Sequence, residues 1–188
     1  GRAVGGVELG EGGGWGLGWV GRGVEARARA IAAGRAGRIA VLIGRGTLGG
    51  TCVYFGCVAS KTLLAAAGVR HGALSNPFPG APTTAGATDL AALVAQKDEL
   101  IGRLRQAKYA DVAAAYDVEV RPGQARFRDR DTLEVDGQTL RASAYLVATG
   151  AEPAVPDLPG LDGVDYLTYT TAMELHDLPA SLVVIGGG

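Results

Sequence analysis

The sequence predicts an α/β chain, with parallel strands and helices around a nucleotide-type turn, one long helix and a small antiparallel meander. Three observations predict it. Glycines from Gly21 stand between one apolar run and a helix-forming run, with a second apolar run, Ile39–Ile43, beyond. Apolar residues from Leu90 to Leu104 recur at helical spacing. From Val118 the period changes to two. At 188 residues the chain can bury a core of its own. A net charge of -1 and a pI of about 6.2 offer no basic field, so neither nucleic acid nor an anionic membrane is an expected partner.

Taken in order, residues 1–14 show no period and are expected to be a glycine-rich tail; the chain has 31 glycines, eleven of them between Gly1 and Gly23. No cationic start followed by an apolar core suggests a secretory leader. Gly16-x-Gly18-x-x-Gly21 and Gly21-x-Gly23-x-x-Ala26 both fit the dinucleotide pattern. The second is better placed, because the helical run 27–33 and the strand 39–43 follow it. That order is a Rossmann-like β-turn-α-β unit, with phosphate expected at the helix N-terminus. The acid that binds a ribose should come roughly 20 residues beyond the glycines. That position is Gly44, so the carboxylate is missing. Interior glycines in the first strand predict that it pairs poorly.

The stretch Gly49–Lys61 holds the only cysteines, Cys52 and Cys57, with four residues between them. On a regular helix they would stand about 7.5 Å apart along the axis. A disulfide needs its Cα atoms within roughly 7 Å. Closure therefore requires Cys52 ahead of the first regular turn, or a distorted turn, and Gly49, Gly50 and Gly56 allow either. A helix N-terminus with Lys61 nearby favours thiolates. The chemistry predicted is a redox-active dithiol in a cytoplasmic protein, against the plainer reading of two small buried hydrophobes.

Helix is expected from Ser60 to about His71, a proline-bearing loop over 72–87, and a long helix capped by Thr88 with Asp89 in its first turn. Its stripe (Leu90, Leu93, Val94, Lys97, Leu100, Ile101, Leu104) predicts core packing, with Glu99 and Arg103 paired on the flank. Val118–Arg121, Ala125–Arg128, Thr132–Val135 and Thr139–Ala142 predict half-buried strands with one solvated face. Asp136-Gly137 predicts a type I′ hairpin turn. Ala144–Ala148 predicts a buried parallel strand that delivers Thr149 and Gly150 to a ligand at the carboxyl edge. Leu182–Ile185, far short of a membrane span, predicts another buried strand opening on Gly186–Gly188. The expected domains are the tail 1–14, a partial nucleotide-binding domain 15–180, and the start of a truncated second one at 181–188. His71 and His176 are expected to be surface residues.

The string Gly-Gly-Thr-Cys-Val-Tyr-Phe-Gly-Cys-Val-Ala-Ser-Lys resembles the active-site signature of the pyridine nucleotide–disulfide oxidoreductases, which are flavoenzymes. Gly123-Gln-Ala-Arg-Phe127, Leu146–Ala151 and the second glycine turn follow in the family's order. Ala59 replaces a usual proline, and Tyr54-Phe55 replace a common Asn-Val. Lys97–Tyr109, Pro153–Pro156 and Leu167–Ala172 are most similar to the branch that reduces Hg(II). The resemblance implies a truncated FAD-binding domain. Cys52 would be the outer, substrate-facing thiol and Cys57 the inner thiol against the flavin, both holding Hg(II) transiently. Lys61 would lie near the flavin ring. Gly21, Gly23, Ala26, Gly46, Gly50 and Thr51 would contact FAD, with Ala125 on the adenine side and Thr149-Gly150 along the cofactor backbone. Gly186 and Gly188 would belong to the NADPH turn.

Electrons would pass from NADPH through FAD to the dithiol, in a cytoplasmic homodimer. The NADPH domain, the later FAD segment, the dimerisation domain and a third cysteine are not in this sequence, so the fragment alone is not expected to be active. A disulfide reductase like dihydrolipoamide dehydrogenase or glutathione reductase is the alternative within the family. A non-catalytic thiol or nucleotide-binding module is the alternative outside it. The likeness is close from Ile39 and nearly lost upstream, where Gly, Arg and Ala dominate as they do in GC-rich DNA read out of frame. A frame error corrected near residue 38 would give a weak first strand and weak FAD binding.

Overall fold

The computed structural model describes residues 17–21, 23–46 and 48–186. The expected tail 1–14 and Gly188 lie outside the described residues. The described elements are β1 (Leu17–Val20), α1 (Val24–Arg35), β2 (Ala40–Gly44), α2 (Gly50–Tyr54), α3 (Cys57–Leu74), α4 (Leu90–Arg105), a π turn (Gln106–Ala110), α5 (Asp111–Ala115), β3 (Glu119–Pro122), β4 (Ala125–Phe127), β5 (Thr132–Val135), β6 (Gln138–Arg141), β7 (Ala144–Val147), a 3₁₀ turn (Leu161–Gly163) and α6 (Tyr169–Ala172). They form two compact units, one ending its first segment at Tyr54 and resuming over Gly102–Glu152, the other made of Phe55–Ile101 and Pro153 onward.

The first unit is built in layers on a parallel sheet of order β3-β2-β1-β7. β2 shows why the layers form. Alternate side chains point to opposite faces of a strand, so Ala40 and Leu42 join Ala26, Ala30 and Ala33 of α1 and Ala113 of α5. Val41 and Ile43 turn the other way and meet Leu133, Val135 and Leu140 of the meander β4-β5-β6. The alanines of α1 recur at helical spacing and let it lie close on the sheet. Tyr145 ties the meander down: its hydroxyl lies 3.0 Å from the Asp131 carbonyl, and its ring meets Phe127 edge-on at 5.2 Å.

Several expectations are corrected here. β1 pairs fully with β2 and with β7 despite Gly18, so the first strand does not pair poorly. A Cβ on Gly18 would stand 2.9 Å from the Tyr145 ring, and the glycine is what the packing admits. The strand after Val118 leaves the meander and becomes an edge of the parallel sheet, because Val118 and Val120 pack with the α1 cluster. β7 is parallel as expected but not buried. It ends the strand order, and Val147 is 60% exposed. The turn at Asp136 (φ 46) and Gly137 (φ 84) is the predicted I′ hairpin.

In the second unit α3 starts at Cys57 and runs past His71, with both ends further out than expected. The cap of α4 is Asp89, whose carboxylate accepts from the Ala92 amide at 2.9 Å, and Thr88 is not the cap. Asp is the stronger N-cap, which gives it the position. Val94 and Lys97 of the stripe are buried, as is Ile101. The Lys97 ammonium meets Glu174 at 3.1 Å, Asp98 at 2.9 Å and the Met173 carbonyl at 2.9 Å, holding the end of α6 on α4. Leu182–Ile185 form no strand and stand exposed, because no strand among the described residues lies beside them to complete a ladder. One stretch, Gly50–Leu74, is long and apolar enough to cross a membrane by composition (mean hydropathy 1.5). Its apolar window is 11% buried, and helix is interrupted at Phe55-Gly56.

Candidate nucleotide-binding edge and dithiol

Three parallel strands end at one edge of the first unit, and the glycines lie where they end. The Gly21 amide donates to the Ile43 carbonyl at 2.7 Å, and the Ala148 amide to the Val20 carbonyl at 2.7 Å. Gly21 has φ +141, and a Cβ there would come within 1.9 Å of the Ala148 carbonyl oxygen. Gly50 has φ +62, and its Cβ would fall 2.6 Å from Gly23 Cα, so the start of α2 rests on the turn before α1. Neither position admits a side chain. A cavity of about 510 Å³ opens here, lined by Gly21, Gly44, Arg45, Gly46, Ala125, Thr149 and Glu152 among others.

Four of the expected FAD-binding residues, Gly21, Gly46, Ala125 and Thr149, therefore share one cavity. Gly23 is the N-cap of α1, leaving the first amides of that helix facing the turn. Ala26 is fully buried in the helix cluster, where it packs α1 onto the sheet. Gly150 turns with φ +79 just beyond β7. Thr51 is exposed in α2, and Gly186 is exposed in the second unit. The glycine cradle fits the pyrophosphate of a dinucleotide, since backbone amides and a helix N-terminus can approach it closely. Gly44 brings no carboxylate for a ribose, and the charged groups lining the cavity are Arg45 and Glu152.

Both cysteines are exposed, and neither is in a disulfide. Cys52 lies inside α2 and Cys57 is the first residue of α3, with Gly56 (φ -106, ψ -115) as its N-cap. The expected alternative of a distorted turn is what is found, because helix stops after Tyr54 and restarts at Cys57. Ser60 donates to the Gly56 carbonyl at 2.8 Å, fixing the restart. Cys57 and Lys61, one helical turn apart, line a shallow groove of about 620 Å³ with Val58, Thr62, Val69 and Gln96.

Two residues given no role by the sequence come together in the first unit. Tyr109, in the π turn, is 3% exposed, and the Arg27 guanidinium lies 4.7 Å from its ring centroid. Arg27 also donates to the Lys108 carbonyl at 2.6 Å. Burial pushes the Tyr109 phenol above its ordinary pKa, Arg27 pulls it back, and the charge of Cys52 pushes the same way as burial. A π turn is rare and legible only from backbone bonding, so periodicity could not have found it. Among the described residues no group of three or more His, Cys, Asp or Glu side chains could hold a resident metal ion.

A glycine cradle closes the carboxyl edge of the parallel sheet, and the two cysteines follow it in the chain. The chain is a member of the pyridine nucleotide-disulphide oxidoreductase family, whose profile matches residues 20–188. That match begins well before Ile39 and takes in the glycine turn and α1, so the likeness is not lost upstream as expected. The chain is 51% identical over 181 residues to the mercuric reductase of Streptomyces lividans, covering 93% of this chain and 38% of that protein. It is 47% identical over 169 residues to the mercuric reductase of Lysinibacillus sphaericus, covering 90% of this chain and 31% of that protein. Among solved structures, the HOCl-induced flavoprotein disulfide reductase RclA of Escherichia coli superposes with a TM-score of 0.72 at 25% identity, covering 88% of this chain and 35% of that one.

Proposed function

We propose that this chain is the flavin-facing part of a longer cytoplasmic enzyme that reduces Hg(II) to elemental mercury at the expense of NADPH, through Cys52 and Cys57. The observation that carries the proposal is 51% identity to a mercuric reductase over a span that includes the exposed dithiol. Bound FAD would supply the path for electrons from NADPH to the dithiol. The chain's own residues supply the rest. The glycine cradle around Gly21, Gly23 and Gly50 holds the pyrophosphate, with Gly46, Thr149 and Gly150 along the cofactor. Lys61 places a positive charge one turn from Cys57. Cys52 receives Hg(II) as the outer thiol and Cys57 shares it as the inner one, since soft thiolates suit that ion. Each turnover takes two electrons from one NADPH to one Hg(II), giving NADP⁺, H⁺ and Hg(0). Gly186 and Gly188 open the NADPH-binding part, and the longer protein is a homodimer.

A second reading within the family is reduction of a disulfide substrate through the same dithiol. The solved neighbours titled flavoprotein disulfide reductase favour it. The test uses the FAD-loaded, full-length protein containing this chain, with NADPH oxidation followed against Hg(II) in excess thiol, lipoamide and oxidised glutathione. Hg(II)-dependent oxidation is expected, and Cys52→Ser or Cys57→Ser should each reduce it by about two orders of magnitude. Turnover of disulfides without Hg(II) establishes the second reading. A folded protein that turns over none of them is a non-catalytic thiol or nucleotide-binding module.

A further inference from the structure

We propose that Glu152 recognises the ribose of the bound adenine nucleotide, taking the part of the carboxylate that β2 lacks. This rests on reading the edge of β1, β2 and β7 as a nucleotide site. Vicinal ribose hydroxyls are donors in search of an acceptor, and a carboxylate can accept from both at once. A βαβ unit ordinarily places that carboxylate at the end of its second strand. Here the position is Gly44, which has no side chain to offer.

The cavity of about 510 Å³ that passes Gly44 has one carboxylate in its wall, Glu152, and one cation, Arg45. No protein group among the described residues bonds to either, so both are available to a ligand. Glu152 reaches the cavity from β7. The Ala148 amide closes on Val20 at 2.7 Å, Gly150 then turns with φ +79, and Glu152 follows two residues later. Arg45 can only donate to the hydroxyl oxygens, so the hydroxyl protons themselves are left for a carboxylate to accept. Arg45 could instead hold a phosphate on the ribose, but a phosphate there would bring negative charge into the cavity that Glu152 lines. Glu152 therefore both accepts from a free diol and repels a 2′-phosphorylated one.

The test is calorimetric titration of the 188-residue chain with ADP, 2′-deoxy-ADP and adenosine 2′,5′-bisphosphate, with circular dichroism as the folding control. ADP should bind roughly tenfold more tightly than 2′-deoxy-ADP, the size of one charge-assisted hydrogen bond. Glu152→Gln should erase that preference, and adding Gly44→Glu to Glu152→Gln should restore it. A preference that survives Glu152→Gln, or tighter binding of the 2′-phosphate than of ADP, overturns the assignment to Glu152 while leaving the nucleotide site standing. Folded protein that binds none of the three overturns the site as well.

Discussion

Lys97 shows what one residue does in this chain. A lysine on an apolar stripe is fully buried, and three oxygen partners replace the water it gave up. Burial pulls its pKa down, but the hydrogen bonds and charges of Asp98 and Glu174 outweigh it, and the net shift is upward from 10.5. A raised lysine pKa means that the folded state holds the proton more tightly. Its stabilisation is therefore complete below the ordinary lysine value and is lost as pH rises through the folded-state value. Lys97→Met keeps the buried stem and removes the ammonium. We expect it to cost about 1–2 kcal/mol in urea unfolding at pH 7, because both carboxylates are partly solvated. The difference between variant and parent should fade as pH rises above the raised folded-state value. A difference that persists there means that packing alone holds the site.

Glycine has opposite effects in different elements. In the turn after β1, Gly21 has no room for a Cβ and a φ of +141. Gly21→Ala should destabilise the chain by about 2–4 kcal/mol and weaken nucleotide binding with it. In α3, Gly72 has open space around the position of a Cβ. There the glycine only weakens a helix, and Gly72→Ala should stabilise by about 0.5–1 kcal/mol. Chemical denaturation of both variants beside the parent checks the contrast. Equal effects of one sign would mean that the turn after β1 is not fixed as described. The break between α2 and α3 belongs to this scale too. Gly56 interrupts the helix between the cysteines, so Cys57 begins a new helix whose N-cap offers no side-chain hydrogen bond.

At the scale of the whole molecule, stability comes from the two faces of the parallel sheet and from the Lys97 anchor, and the last residues contribute little. Leu182, Val183, Val184 and Ile185 are 63%, 91%, 78% and 68% exposed. Removing residues 182–188 should leave the unfolding free energy within about 0.5 kcal/mol of the parent and reduce self-association, as light scattering would show. A larger loss would mean that this strand-like run is packed in solution. The sequence by itself determined the βαβ unit, the helical stripe, the I′ hairpin at Asp136-Gly137 and the dithiol, because each is written in local spacing or in residues with one conformational use. Only the tertiary structure decided which sheet β3 joined, that Gly18 could sit in a central strand, that Asp89 caps α4, and that Leu182–Ile185 stay unpaired. Alternation fixes the faces of a strand but not its neighbour, and a strand forms only where a partner completes its hydrogen bonds. The cavity that brings Glu152 to Gly44 was hidden for the same reason. Residues far apart in the chain meet there only because β1, β2 and β7 end at one edge.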